Sequence, residues 1–252
     1  MSVAILTLCV GADYKKAMEP GLESKREYAK KHGYAIHIGG EDVWDRTRPI
    51  SWSKIRFIQK YLGQYDYLVW SDADAIILDQ EKRLETHILH RLPDNKDMMW
   101  TFDACNHYNC GHLVLRGKSP WLKDFLERSY NQVDLIHHIW WDNAAMIRLF
   151  ETNAGDREKI ETCKENWLIN SYVFGKNNSA NDPSCRLYEP GDLLIHFAGV
   201  YEPWNIYRMM KYALIQSKKN APLNHELLDA WRNNPPKDRI TADASLSSLN
   251  TN

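Results

Sequence analysis

Tyr65-Asp66-Tyr67-Leu68-Val69-Trp70-Ser71-Asp72-Ala73-Asp74-Ala75-Ile76-Ile77-Leu78-Asp79 decides the reading of this chain. An apolar run, Tyr67 to Trp70, gives way to two acids flanking one small residue, and a second apolar run, Ala75 to Leu78, follows at once. Both runs are short and rich in aromatic or β-branched residues, the pattern of buried strand. Carboxylates two residues apart in extended chain point the same way. Two acids between hydrophobic strands are costly unless a cation meets them. Oxygen ligands suit a hard ion such as Mg2+ or Mn2+, which keeps coordination positions open for substrate phosphates. The bland alternative is a pair of turn acids at a strand end.

Working back toward the N-terminus, Val3 to Val10 reads as a buried strand ended by Gly11-Ala12-Asp13. A helix from about Tyr14 to His32 stops at Gly33, and Tyr34 to Ile38 is a second strand. Strand–helix–strand of this length is a βαβ unit with parallel pairing. A helix over Lys54 to Leu62, capped by Ser51 or Ser53, leads into the acidic strand. The acids then sit at the carboxyl end of the third strand, the edge where open α/β sheets bind ligands. Further on, strands are expected at Met98–Phe102, Gly111–Arg116 and Leu193–Phe197. Helices are expected over 120–130, from Asp142, over 207–217 and over 225–232. Residues 1–232 read as a single domain, and the Pro-, Ser- and Asn-rich residues 233–252 as a flexible tail or linker.

Composition narrows the class. The chain has 252 residues, 44% of them apolar and 26% charged, with a net charge of −1, so it is an ordinary globular protein and no general nucleic-acid binder. No apolar run is long enough to span a bilayer, and no secretion signal opens the chain. The five cysteines (Cys9, Cys105, Cys110, Cys163, Cys185) lack metal-site spacing and read as reduced thiols. A cytoplasmic monomer or weak dimer is expected, and the sequon at Asn177 carries little weight there. Ten Trp and 13 Tyr exceed what a core of this size needs, and some can stack on sugars.

Several further residues fit the acids, each with a plain alternative. His196, at the end of an apolar strand, completes a metal site or simply bonds backbone. Asp142-Asn143, after Trp140-Trp141, either places an acid and an amide beside a sugar or caps a helix. Asn109-Cys110-Gly111 has the residues of a turn. Lys54 meets a phosphate or lies on a solvated helix face. His137-His138 cannot share one ion from adjacent positions.

The ordered set resembles a known family. Ser51-Trp52-Ser53-Lys54-Ile55 with Val69-Trp70-Ser71-Asp72-Ala73-Asp74-Ala75 is similar to the W-x-K-I/L … W-x-D-x-D-A/T core of glycosyltransferase family 34. That family includes galactosyl-, mannosyl- and xyloglucan xylosyltransferases. Ala29 to Tyr34 resembles its Y-C-x-x-H-G segment, Asn109-Cys110-Gly111-His112 its N-A-G-S, Asp142-Asn143 its D-Q, and His196-Phe197-Ala198-Gly199 its H-F-x-G. The resemblance, covering about Val3 to Gly199, implies a GT-A fold with a mainly parallel central sheet flanked by helices. It also implies Mn2+- or Mg2+-dependent, retaining transfer from a UDP-sugar to a glycan acceptor, an oligosaccharide or a glycoprotein glycan.

By that resemblance Asp72, Asp74 and His196 hold the metal, and Asp142 and Asn143 act at the sugar. Thr7, Leu8, Cys9, Val10, Gly11, Lys54, Ala73, Asn109, Gly111 and Gly199 line the donor. Three departures stand out. The Lys that follows H-F-x-G in the family is replaced by Val200-Tyr201, its Gln by Asn143, and the membrane anchor usual at its N-terminus is missing, which would fit a viral or bacterial enzyme. A catalytically silent sugar-binding module and a metal-dependent nucleotidyltransferase are the other readings, the latter lacking a basic nucleotide loop.

Overall fold

The first strand shows how the sheet is built. Val3, Ala4, Ile5 and Leu6 are all under 5% exposed. Val3 and Ile5 pack into one apolar layer, and Ala4 and Leu6 into the layer on the other face. A strand buried on both faces needs a continuous apolar run, and that is what the sequence supplies. The computed structural model describes residues 1–103, 107–175 and 186–247.

The strands are β1 (Val3–Leu8), β2 (Ala35–Gly39), β3 (Tyr67–Ser71), β4 (Ala75–Ile77), β5 (Met98–Phe102), β6 (Tyr108–Arg116), β7 (Ile160–Cys163), β8 (Ser171–Tyr172) and β9 (Leu194–His196). The helices are α1 (Ala12–His32), α2 (Ser53–Tyr61), α3 (Leu84–His87), α4 (Pro120–Tyr130), α5 (Trp141–Thr152), α6 (Ala154–Lys159), α7 (Pro203–Lys218), α8 (His225–Asn233) and α9 (Arg239–Ser247). The main sheet runs β2-β1-β3-β6-β5-β7, and a small sheet runs β4-β9-β8. β1 pairs in parallel with β2 and β3, and β5 with β7, while β6 is antiparallel to both β3 and β5. The sheet is therefore mainly parallel, as expected, with one reversed strand. Because β2 and β3 flank β1, the crossover from β1 to β2 runs one way along the sheet and that from β2 to β3 runs back, and the carboxyl ends of β1 and β3 open side by side.

Helices α2, α4 and α5 cover one face of the sheet through Ile55, Phe57, Phe125 and Met146. Helix α1 covers the other through Tyr28 and Ala29, then turns its second face to α7 through Met18 and Met210. Gly33 closes α1 in the left-handed conformation (φ 74°), and its N–H bonds to Ala29 O.

Three expectations are corrected here. The two acids do not lie in extended chain: Asp72 to Ala75 form a turn closed by Ala75 N–H on Asp72 O at 3.2 Å, and β4 leaves for the second sheet. Neither Ser51 nor Ser53 caps α2; a 3-10 turn over Ile50–Trp52 leads in, and Ser53 Oγ accepts the Asp45 N–H. Residues 239–247 are not a loose tail but helix α9. Its Ala242 and Leu246 are buried in the cluster that holds Met210 and Trp231, and Tyr207 OH bonds to Asp243. Cys9, Cys110 and Cys163 are free and buried; Cys105, Cys185 and the Asn177 sequon lie outside the described residues. Among the described residues no helix is long and apolar enough to cross a membrane.

Candidate active site

The acidic turn is clamped from both sheets. Asp72 N–H donates to Gly111 O of β6 at 2.9 Å, and Asp74 O accepts the N–H of Phe197, just after β9, at 3.0 Å. β4 pairs antiparallel with β9 in a register that sets Ala75 opposite His196. That pairing brings residues 121 positions apart in sequence to one point. His196 Nε2 lies 3.3 Å from Asp74 Oδ1 and 3.9 Å from Asp72 Oδ2. One ligand atom from each of the three lies within 4.8 Å of the others, so a single divalent cation fits among them. Two carboxylates and an imidazole form a donor set for Mn2+-class ions. The His196 side chain is 3% exposed, whereas Asp72 and Asp74 keep 28% and 20% of their surface open to the cleft.

The site's charges set one another. For Asp72, burial and the neighbouring Asp74 raise the pKa, against the pull of Lys54. For Asp74, burial acts upward but His196 prevails and holds it low. Burial works against a charged His196, and the Asp74 carboxylate overrides it and raises the ring's pKa. Trp70 Nε1–H donates to Asp72 Oδ1 at 2.6 Å, which explains an indole two residues before the acid.

Lys54 is no solvated surface lysine. Its side chain is 7% exposed, and Nζ lies 3.2 Å from Asp142 Oδ2, 3.4 Å from Asp72 Oδ1 and 3.1 Å from Cys110 O. Burial alone would depress its pKa, yet Asp142 and Asp72 hold it well above the ordinary lysine value. Asp142 is not a cap either: α5 begins at Trp141 without a side-chain cap, and the carboxylate turns inward to Lys54 and the Cys110 thiol. Asn143 bonds β6 at both ends of its amide, Oδ1 accepting from Cys110 N and Nδ2 donating to Tyr108 O. Asn109-Cys110-Gly111 lies within β6 rather than in a turn. Gly111 is required by space, since a Cβ there would meet His196 Cε1 at 2.3 Å.

The cleft beside the acids is lined by Leu8, Val10, Tyr14, Ile50, Ser51 and Lys54 together with Trp70, Asp72, Ala73 and Asp74. Of the first-strand residues expected at a donor, Leu8 and Val10 line it. Thr7 and Cys9 are buried, as strand alternation requires, and Gly11 (φ 96°) gives its N–H to Glu41. Ser51 also lines the cleft, and its Oγ is buried without a hydrogen-bond partner among the described residues. Gly199 (φ 76°) turns the chain just past His196. Trp140 and Trp141 stay 45% and 42% exposed, and Trp141 has a positive φ of 46°, a strain that a residue with a Cβ rarely bears without a local reason.

Sequence reasoning missed Lys25, which carries no motif. It lies on the inner face of α1, fully buried, and donates to Ala75 O just past the acidic turn. Burial pushes its ammonium down to about 8 from the ordinary 10.5, against Asp74 and Asp72. The folded chain thus binds fewer protons than the unfolded one between about pH 8 and 10.5, and this group's contribution to stability rises with pH across that window. Lys25→Met is expected to exceed the wild type below that window by up to roughly 3 kcal/mol, the gap closing toward its upper end. Urea unfolding of both proteins at neutral and alkaline pH checks this; a gap that ignores pH would contradict it.

Comparison with known proteins agrees with this geometry. Residues 3–96 match the galactosyl transferase GMA12/MNN10 family. The chain is 22% identical over 219 residues to an uncharacterised α-1,2-galactosyltransferase of Schizosaccharomyces pombe, covering 71% of this chain and 55% of that protein. It is 24% identical over 217 residues to MNN10 of Saccharomyces cerevisiae, named a probable α-1,6-mannosyltransferase, covering 71% of this chain and 54% of that one. The chain thus spans about half the length of these relatives. Its fold is similar to a crystal structure of a glycosyltransferase involved in glycosylation of the major capsid of PBCV-1, with a TM-score of 0.63 and 12% identity over 84% of this chain and all of that one. Residues 3–96 are thus similar to the GMA12/MNN10 family, glycosyltransferase family 34, and the chain's α/β architecture is the GT-A fold.

Proposed function

We propose that this chain is a retaining, metal-dependent glycosyltransferase that moves a hexose or pentose from a UDP-sugar to a hydroxyl of a glycan acceptor. The observation that carries the reading is the convergence of Asp72, Asp74 and His196 at the shared carboxyl edge of β1 and β3, open to a cleft. A divalent metal bound there would neutralise charge on the departing diphosphate as a Lewis acid. Leu8, Val10 and Tyr14 offer a wall for the nucleoside. Asp142 supplies negative charge beside the reacting sugar, shared with Lys54, and Asn143 holds its helix on β6. The exposed indoles of Trp140 and Trp141, next to Asp142, suit the apolar face of an acceptor sugar.

Thermal unfolding with UDP-galactose, UDP-glucose, UDP-xylose and GDP-mannose, each with Mn2+ or with EDTA, tests the binding half. A ligand at a hundred times its Kd adds about 2.7 kcal/mol to the native state. A UDP-sugar is expected to stabilise the protein with Mn2+ and not with EDTA, and Asp74→Ala is expected to abolish the shift while near-UV circular dichroism stays native. Equal stabilisation in EDTA would overturn the metal requirement. A shift with GDP-mannose alone would overturn the UDP assignment.

A further inference from the structure

Asn170 has no exposed surface and sits between the 3-10 turn at Asn166–Leu168 and β8. Its Oδ1 lies 2.9 Å from His196 Nδ1 and 3.0 Å from His112 Nδ1. Its Nδ2 donates to Asn109 Oδ1 at 3.1 Å and to Tyr172 OH. The orientation of this amide follows from a backbone group: Asn109 Oδ1 accepts the Gly111 N–H at 2.8 Å, so the atom of Asn170 that meets it must be the nitrogen. The oxygen then faces both rings. A carbonyl oxygen only accepts, so each ring carries its proton on Nδ1. In a neutral His196 the Nε2 lone pair is left facing Asp74 and Asp72, at 3.3 Å and 3.9 Å. His112 Nε2 is left to accept from Ser71 Oγ at 2.8 Å, the hydroxyl directly before the acidic turn.

We propose that Asn170 is the positioning residue of the metal centre: one buried carbonyl oxygen fixes the tautomer and ring plane of His196 and, through His112 and Ser71, ties the acidic turn to the same point. This rests on the metal reading given above. Histidine ligands commonly donate the far ring N–H to an acceptor, and removing that acceptor costs about 10–100-fold in metal affinity.

Asn170→Leu keeps the volume and removes the acceptor; Asn170→Asp keeps acceptor oxygens. Two readouts separate the ideas: Mn2+ affinity from the electron paramagnetic resonance of free Mn2+, and the protonation of the ring nitrogens by 15N NMR of the metal-free protein. Mn2+ binding is expected to weaken about 10–100-fold in Asn170→Leu and to stay within a few-fold in Asn170→Asp. The NMR spectrum of the wild type is expected to show protonated Nδ1 on both His112 and His196. Wild-type affinity in Asn170→Leu, or either ring protonated on Nε2 alone in the wild type, would overturn the proposal. If Asn170→Leu fails to fold, the wild-type ring pattern and the Asp variant decide. If the wild type binds no Mn2+, the metal reading fails, and the ring pattern still decides what Asn170 does.

Discussion

Lys54→Met is expected to remove about 3–5 kcal/mol of stability, the usual cost of breaking a buried ion pair from one side. Methionine keeps the length and apolar stem of lysine but leaves the Asp142 carboxylate, whose side chain is 4% exposed, without its cation at 3.2 Å. Asp72 loses the same cation at 3.4 Å but retains contact with solvent and with His196. Cys110 O loses a donor at 3.1 Å. Against a total stability of roughly 5–15 kcal/mol, that loss is large. Lys54→Met combined with Asp142→Leu should recover much of it, since apolar replacement of a whole buried pair is often neutral. Urea midpoints at unchanged slope read both effects. A single variant that unfolds at the wild-type midpoint would show that Lys54 is not the counter-charge of Asp142.

Asp142→Asn is expected to lower kcat about a hundredfold or more, the scale of losing one preorganised electrostatic group. Asparagine keeps the shape and one oxygen for Lys54, so the helix and the cleft stay in place. The variant loses the negative charge that would face positive charge developing at the anomeric carbon. An interaction made mainly in the transition state appears in kcat more than in donor Kd, so UDP-sugar affinity should stay within a few-fold. A capping acid would make this substitution nearly silent in stability. Because the carboxylate instead meets a buried ammonium, a loss of about 1.5–3 kcal/mol is expected as well. Wild-type turnover in Asp142→Asn would move the catalytic role to another residue.

These residues also show how far the sequence could be read. Continuous apolar runs made β1 and β3 legible, because strands buried on both faces leave no polar positions. The two acids were legible for the converse reason: between such strands they point to a turn or a cation, and the structure has a turn there with a third metal-ligating group beside it. His196 was legible as a candidate from its place at a strand end, but only the resemblance favoured it over a plain backbone-bonded histidine, since its position beside the acids depends on the pairing of β4 with β9. Asn170 and Lys25 gave no signal. A buried amide and a buried lysine look like surface residues until their partners are known, and those partners lie 26, 58 and 50 residues away. Helix α9 was missed because its burial comes from two small contacts, Ala242 and Leu246, rather than a broad apolar stripe.

The Asp72–Asp74–His196 centre, proposed above to support metal-dependent cleavage of a UDP-sugar, can be tested on the reaction itself. The most direct measurement is release of UDP from the donor that stabilises the protein, followed over hours with Mn2+, with EDTA, and with Mn2+ restored after EDTA. Slow release to water with Mn2+, faster release once an acceptor glycan is supplied, none in EDTA, and recovery on adding Mn2+ back are the predicted results. Undiminished UDP release in EDTA, or none from any UDP-sugar with Mn2+ present, would contradict the account.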